Sequence, residues 1–339
     1  MRVAYDVTPL SHPRTGVGNY VLGALQGMAE ASSGEDELVA FGPVSIRGRP
    51  LVDEALDGFA TQHRLLTVPF AHATRRAWSK LGRPPAERFV GAFDVLHFTD
   101  WMHPPQRAGV RATMIHDLGP LKYPEKLHPR TVSMHTANAE QARRCDVVFA
   151  NSEFTANNVV ETLGIPRERI RVAYPGVGPA FTPEGDRYDA GRPYAFSTAT
   201  DDWRKNVETL RAAWRELDDD LALVTLDDLG YVPNAELPAL YRGASVFVYP
   251  SRFEGFGIPV IEALACGVPC VVSAHPSLDE AAGDAAIRAD PGDAGAIAAA
   301  VREAIGRRDE LVSRGREHAR RFTWLETGRA HLQGYAEAL

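Results

Sequence analysis

The sequence has little cysteine and no long apolar run. Cys145, Cys266 and Cys270 are the only cysteines among 339 residues, and their spacing suits neither a disulfide framework nor a zinc site. No apolar stretch reaches the ~18 residues that a membrane-spanning helix needs. The opening segment, MRVAYDVTPL, has the pattern of a strand and not that of a secretory signal. We therefore expect a cytoplasmic protein without a membrane-spanning segment.

Positive charge is also scarce, and it is unevenly placed. The 37 basic residues are outnumbered by 44 acidic ones, and the net charge of −7 argues against a nucleic-acid-binding protein. Residues 1–175 carry 20 basic and 18 acidic side chains, whereas the remainder carries 17 and 26. This difference suggests two separate bodies. Lysine is rarer than arginine throughout, and Lys205 is the single lysine after Lys126.

Short apolar runs alternate with amphipathic segments, which predicts an α/β fold with parallel strands covered on both faces. The predicted strands are RVAYDV, DVLHF, ATMIHD, DVVFANS and IRVAYPG in the first half, and YAFST, LALVT, SVFVYPS, PCVVS and AAIRAD in the second. Residues 174–194 have four prolines, four glycines and no periodicity, as expected for a linker. We predict doubly wound domains at 1–177 and 191–325, a linker at 178–190, and a C-terminal helix at 326–339 that could pack back on the first domain.

Residues 246–273, VFVYPSRFEGFGIPVIEALACGVPCVVS, combine a buried strand with polar residues that packing does not require. Glu254 follows the strand, at the edge of a parallel sheet where ligands bind. Gly255 and Gly257 allow the backbone to approach a ligand, and the N-terminus of the helix that follows adds partial positive charge. Glu262 could simply complement the dipole of that helix. Because this explanation does not cover Glu254 and the glycines, the stretch predicts a ligand site.

This stretch resembles the signature of glycosyltransferase family 4, whose members are retaining nucleotide-sugar enzymes of the GT-B fold. DVTPLSHPRTGVGNYVLGAL, IHDLGPLKYPEKLHP, NSEFTANNVVETLGIPRERIRVAYPGV and DDWRKNVETL are also similar to family segments, so the resemblance covers roughly residues 1–275. It implies two Rossmann-like domains that face each other across a donor-binding cleft. It also implies transfer of a hexose from a nucleotide sugar to a glycan, lipid-linked or small-molecule acceptor. The wording HDLGPLKYPE is similar to mannosyltransferase-like members, which suggests GDP-mannose as the donor.

The resemblance assigns donor binding to the second domain. Glu254 would accept hydrogen bonds from hydroxyls of the donor sugar, and Glu262 from those of the ribose. Phe256, Gly257 and Ile258 would lie against the sugar or the phosphates. The two glutamates would thus contact different parts of one ligand, unlike the carboxylate pair that flanks one bond in a glycosidase.

The remaining predicted site residues lie in other loops. Arg204 and Lys205 would stabilise the charge on the leaving diphosphate, although a solvated helix start can also carry such residues. His116, at the end of a first-domain strand, would lie near the donor sugar, or else serve as a structural hydrogen-bonding residue. Gly16 and Gly18 would let acceptor and phosphate approach. The resemblance implies front-face attack, with the leaving phosphate accepting the acceptor proton, and it implies no metal and no other cofactor.

Two features depart from the family pattern. Ser197 and Thr198 stand where a glycine is usual, and Ala199 lies near a position where some members carry an arginine. The segment LALVTLDDLGYVPNAELPALY lacks roughly one helix between Thr225 and Gly230, in a region that frames the nucleotide base in relatives. These departures leave open a non-catalytic relative that binds nucleotide sugars or serves as a scaffold. An epimerase or phosphorylase of the same fold would not need this glutamate loop.

Residues 64–88, RLLTVPFAHATRRAWSKLGRPPAER, contain six basic residues and one acidic residue, Glu87, with Phe70, Trp78 and Leu81 among them. A basic amphipathic helix of this kind can lie on an anionic membrane. The segment could equally be a solvated helix or a wall of the acceptor site. Peripheral contact with the inner face of the membrane is therefore one hypothesis among three.

Overall fold

The computed structural model describes residues 1–13, 15–32, 34, 36–58, 61–217 and 220–339. The chain forms two compact units, one of Met1–Gly176 with Thr323–Leu339 and one of Val177–Phe322. Residues 178–190, which we predicted as the linker, are counted in the second unit.

The described part of the first unit contains a seven-stranded parallel sheet. Its strands are β1 (Arg2–Asp6), β2 (Glu37–Ser45), β3 (Gln62–Val68), β4 (Val95–Phe98), β5 (Val110–Ile115), β6 (Val147–Ala150) and β7 (Ile170–Val172). The order across the sheet is β3-β2-β1-β4-β5-β6-β7, and every neighbouring pair is parallel. Because the order reverses between β1 and β4, the loops that follow these two strands flank the place where ligands bind in open α/β sheets.

The sheet of the second unit has five parallel strands in the part of the chain that is described. They are β8 (Tyr194–Ser197), β9 (Ala222–Thr225), β10 (Val246–Tyr249), β11 (Cys270–Ser273) and β12 (Ala286–Ala289). The order is β12-β11-β10-β8-β9. Here the order reverses between β8 and β10, so the loops after these strands flank the corresponding ligand position.

Helices connect the strands and cover the sheets. The first unit contains α1 (Gly16–Ala31), α2 (Arg49–Leu56), α3 (Ala71–Leu81), α4 (Glu87–Val90), α5 (Gly119–Lys122), α6 (Pro129–Ala142) and α7 (Glu153–Leu163). The second contains α8 (Val207–Trp214), α9 (Leu226–Leu229), α10 (Leu237–Gly243), α11 (Ile258–Ala265), α12 (Asp279–Ala282), α13 (Ala294–Gly306) and α14 (Arg308–Ala319), and α15 (Trp324–Ala336) belongs again to the first unit. The short α9 occupies the segment that the sequence shows to be compressed.

The last helix, α15, is built into the core of the first unit. It packs on α1 at small residues, and a Cβ atom added at Gly27 would lie 1.7 Å from the carbonyl oxygen of Trp324. A Cβ added at Gly328 would lie 2.0 Å from the carbonyl carbon of Gly27. At its other end, the Tyr335 hydroxyl bonds Nδ1 of the buried His97 at 2.7 Å. Backbone contact between the two helices therefore depends on glycine at these positions.

All ten predicted strands are present, but β2 and β3 were not predicted. The strand β3 also corrects the interpretation of residues 64–88 as one amphipathic helix. Residues up to Val68 form an edge strand whose partner is β2, and the helix α3 begins only at Ala71. None of the described helices combines the length and the apolar character needed to cross a bilayer.

Candidate active site

Two loops meet at the carboxyl edge of the second sheet, one after β8 and one after β10. Glu254 belongs to the loop after β10, which ends at Gly257, the N-cap of α11. Gly257 has a φ of 103°, and a Cβ atom there would lie 2.7 Å from the side chain of Leu278. The positive φ strongly favours glycine, and any larger residue would also have to displace the Leu278 side chain. The Phe256 side chain is buried against Phe322, so the part of this residue left for a ligand is its backbone.

Lys205, Tyr249 and Glu254 form a closed triangle of hydrogen bonds. The ammonium of Lys205 donates to Glu254 Oε1 and to the Tyr249 hydroxyl, each at 2.7 Å. The Tyr249 hydroxyl donates to the same Glu254 oxygen at 2.8 Å. The side chains of the ion pair are mostly buried, with exposed fractions of 22% for Lys205 and 13% for Glu254. A cation and a carboxylate therefore stand together at the sheet position where ligands bind.

The charges of this pair support each other. Burial opposes ionisation of Glu254, but the charge and hydrogen bond of Lys205, with the hydrogen bond of Tyr249, outweigh it and lower the pKa of Glu254. Burial likewise disfavours the ammonium form, yet Glu254 raises the pKa of Lys205 above its ordinary value. Both groups are consequently charged at neutral pH.

The backbone beside Lys205 is held in an unusual conformation. Asn206, the N-cap of α8, has a φ of 58°, the left-handed region that a non-glycine residue rarely adopts. Its amide nitrogen donates to the carbonyl oxygens of Pro250 and Pro291 at 3.0 and 2.6 Å, and its amide oxygen accepts from Arg252. These bonds compensate for the strained backbone and fix the position of Lys205 relative to the loop after β10.

Arg204 and Glu262 lie near this loop but have other partners. The Arg204 guanidinium pairs with Asp202 at 3.2 Å. Glu262, on α11, is 8% exposed, and its Oε2 accepts a hydrogen bond from the Tyr241 hydroxyl at 3.0 Å. Burial raises the pKa of Glu262 to about 8, although the bond from Tyr241 acts in the opposite direction. In this state Glu262 is a mostly protonated acid at pH 7, which can both donate and accept hydrogen bonds.

We expect Glu262→Gln to remove a pH dependence of stability. The unfolded chain ionises Glu262 near pH 4.5, whereas the folded protein does so near pH 8. Its contribution to stability is therefore complete below about pH 4.5 and is lost as the pH rises through 8. The difference in free energy of unfolding between variant and wild type should therefore shift in favour of the variant by on the order of several kcal/mol from pH 5 to pH 9. Urea unfolding at both pH values measures this, with Glu208→Gln at an exposed position as the control. A constant difference between wild type and variant would contradict it.

The predicted residues of the first unit lie at the start of α1 and the end of β5. Gly16 and Gly18 belong to the first turn of α1, and not to a loop before it. His116 directly follows β5, and its ring packs edge-on against Tyr20 at 5.1 Å. Burial lowers the pKa of His116 to about 4, so its imidazole is neutral at pH 7. The neighbouring Asp117 accepts a hydrogen bond from the Gly119 backbone at 2.8 Å and orders this loop.

A cavity of about 90 Å³ lies beside His116 in the first unit. Asp100, His103 and Asn138 contribute polar groups to its wall. Burial, followed by the charge of Asp6, raises the pKa of Asp100 to about 6, and one carboxyl oxygen of Asp100 is buried without a hydrogen-bond partner.

The structure brings together some of the predicted residues and adds others. Glu254 and Lys205 are in direct contact, whereas Arg204 and Glu262 bond to different side chains. Tyr249, Asn206 and Tyr241 were missed, and the predicted ligand roles remain predictions. A sequence signal existed for Tyr249, since it ends the strand that leads to Glu254 and carries a hydroxyl into an otherwise apolar run. Among the described residues, no three His, Cys, Asp or Glu side chains are grouped so that they could hold a metal ion.

Comparison with known proteins gives consistent matches. The family model described as "Glycosyltransferase Family 4" matches residues 15–181, and the one described as "Glycosyl transferases group 1" matches residues 225–322. The chain is 28% identical to an O-antigen chain mannosyltransferase B of Escherichia coli, over 96% of both chains.

Solved structures agree on the fold. A sucrose-phosphate synthase of Thermosynechococcus elongatus superposes with a TM-score of 0.71 at 18% identity, over 99% of this chain and 98% of that one. The Anabaena protein HepE, solved with UDP and glucose, gives a TM-score of 0.68 at 12% identity, over 99% of both chains. The predicted GT-B architecture of two Rossmann-like domains is thereby confirmed. With two family models matching in succession and a relative aligned over nearly its whole length, the chain belongs to glycosyltransferase family 4.

Proposed function

We propose that this protein is a retaining glycosyltransferase that moves mannose from GDP-mannose to a glycan or lipid-linked acceptor without a metal ion. The observation that carries the proposal is the buried triangle of Lys205, Tyr249 and Glu254 at the carboxyl edge of the second sheet. It holds one cation and one carboxylate in contact. The cation is complementary to a diphosphate, and the carboxylate is complementary to the hydroxyl groups of a sugar. The E. coli relative, a mannosyltransferase, supports mannose as the transferred sugar.

Lys205 would act on the leaving group. When the bond between the sugar C1 and the β-phosphate oxygen breaks, negative charge accumulates on that phosphate. An ammonium held by hydrogen bonds to Tyr249 and Glu254 needs little reorganisation to stabilise this charge, which is typically worth ~3–4 kcal/mol per well-placed donor. Arg204, the residue before Lys205, would add a second cation. These two side chains take the place that a divalent ion has in other transferases.

Glu254 would bind the sugar and would not attack it. Its oxygen already accepts two hydrogen bonds, and its pKa is lowered by Lys205, so it suits hydroxyl recognition better than covalent attachment. In the proposed front-face reaction, the acceptor oxygen forms its bond to C1 on the side from which the phosphate leaves. The acceptor proton passes to a β-phosphate oxygen. Donor binding would loosen the direct contact between Lys205 and Glu254, because each group then has a ligand partner.

A thermal-shift panel of GDP, UDP, ADP and their sugars tests this function. Ligand at a hundred times its dissociation constant adds about 2.7 kcal/mol to the stability, which is readily measured. We expect GDP and GDP-mannose to raise the Tm equally with EDTA and with magnesium. A larger response to UDP would indicate a UDP-sugar as the donor instead; HepE has been solved with UDP-glucose. Stabilisation by no nucleotide would favour a non-catalytic scaffold and contradict the proposal.

We also propose peripheral contact with an anionic membrane through residues 64–88. Phe70 and Leu81, at the two ends of α3, are 77% and 64% exposed, and Arg76 and Lys80 on the same helix are exposed as well. Exposed apolar and basic side chains on and next to one helix support binding to anionic lipid. We expect co-sedimentation with phosphatidylglycerol vesicles that decreases with salt and is weak with phosphatidylcholine. Equal binding to both lipids would exclude an electrostatic contact.

A further inference from the structure

Arg75 of α3 is a buried cation that the proposed transfer reaction leaves unused. Its side chain is 2% exposed, and both Nε and Nη1 are buried without a hydrogen-bond partner. The ion pairs within the described ranges of the chain do not include it. A buried guanidinium with unpaired N–H groups destabilises a fold, and departures of this kind are expected at functional or strained sites.

The surroundings of Arg75 only partly compensate its charge. Its guanidinium carbon lies 5.0 Å from the centre of the Trp101 ring, a cation–π contact. Asp6 acts on it through space, but the Asp6 oxygens accept hydrogen bonds from Thr8 and Thr99 at 2.5–3.1 Å. Within the described chain, Nε and Nη1 of Arg75 therefore have no hydrogen-bond acceptor.

The position of Arg75 is one where ligands bind. Asp6 ends β1 and Trp101 lies in the loop after β4, the two strands between which the order of the first sheet reverses. The ring of the exposed His12 packs against Trp101 at 4.7 Å, and partial burial, followed by the charge of Arg75, lowers the pKa of His12. Trp101 thus contacts both the exposed His12 and the buried guanidinium of Arg75.

We propose that Arg75 binds a phosphate group of the acceptor, with Trp101 packing against the moiety that carries it. The proposal rests on the transferase function, which supplies the acceptor. Guanidinium is the side chain best suited to phosphate oxygens, because its planar N–H groups donate several charge-assisted hydrogen bonds. The phosphate can come from a soluble phosphomonoester or from a lipid-linked acceptor. Both present the same anionic oxygens to Arg75.

The test measures stabilisation by inorganic phosphate in a Lys205→Ala background, in which the donor phosphate site is disabled. Phosphate should raise the Tm of this protein and of Lys205→Ala/Arg130→Met, whose second substitution is at an exposed arginine of the same unit. It should not raise the Tm of Lys205→Ala/Arg75→Met. A response to phosphatidic acid vesicles alone, if lost with Arg75→Met, assigns the lipid-borne phosphate. Responses that are absent, or that persist without Arg75, overturn the proposal.

Two controls separate this site from the donor site and from folding. Arg75→Met alone should keep the GDP-induced shift in Tm, because Lys205 is intact. If the transferase proposal is wrong, the wild type will also show no GDP-induced shift. Without ligand, Arg75→Met should unfold at the same or a higher temperature, since methionine fills a similar volume without a buried charge. Arg75→Lys keeps the charge but loses the planar donors, and it should weaken phosphate binding at least tenfold in a folded protein. A lower Tm for both variants with unchanged phosphate binding indicates a structural role and overturns the proposal.

Discussion

Lys205→Ala is expected to reduce kcat for glycosyl transfer by about 100- to 1,000-fold. The substitution removes the ammonium that Tyr249 and Glu254 hold in place at 2.7 Å. In the proposed reaction, the departing phosphate would thereby lose the donor that stabilises its charge. Steady-state kinetics with the donor identified by thermal shift measures the effect. The larger part of the loss should be in kcat, because the interaction strengthens as charge develops on the leaving group.

Stability must be separated from catalysis, because Lys205→Ala also leaves the Glu254 carboxylate mostly buried without its cation. The double variant Lys205→Met/Glu254→Gln removes both charges and should be more stable than Lys205→Ala. It should be no more active than Lys205→Ala. A double variant that recovered both stability and transfer activity would show that Lys205 acts only on the fold. If kcat for Lys205→Ala lies within tenfold of the wild-type value, the Lys205 side chain does not stabilise the leaving group.

The sequence predicted which loop of the second unit carries the candidate site residues, but it did not predict the partners of those residues. Glu254 and Lys205 were predicted from a glycine-bounded turn and from the rarity of lysine, and they are in contact. Tyr249 was missed because its role depends on how closely the loops after β8 and β10 approach each other. Asn206 was missed for a related reason, since its left-handed backbone is stabilised by carbonyl groups of Pro250 and Pro291, distant in sequence.

Among the strands, too, the local sequence predicted some features, and others depended on tertiary structure. Continuous apolar runs such as VFVY and CVVS identify buried parallel strands without any knowledge of their neighbours. The strand β2 was missed because Gly42 and Pro43 interrupt it, and β3 because QHRLLTV is an edge strand with few buried side chains. Arg75 is a further case. Within a run of basic residues it looks like part of a solvated face, and only the structure shows that it points inward.

The largest effect on folding is expected from Gly27→Ala, which should destabilise the first unit by at least ~3 kcal/mol. A Cβ atom at this position would overlap the backbone oxygen of Trp324, which no side-chain rotation can relieve, so α1 and α15 must separate. Gly16→Ala, on the same helix, is the matched control, because nothing lies within 4 Å of its added Cβ. It should leave stability unchanged or raise it slightly, since alanine favours helix over glycine. Amide hydrogen exchange in α1 and α15 reports on this unit alone. Exchange that is equally slow in both variants would show that the two helices tolerate a wider spacing, and that α15 contributes less to the core than its buried His331 and Tyr335 indicate.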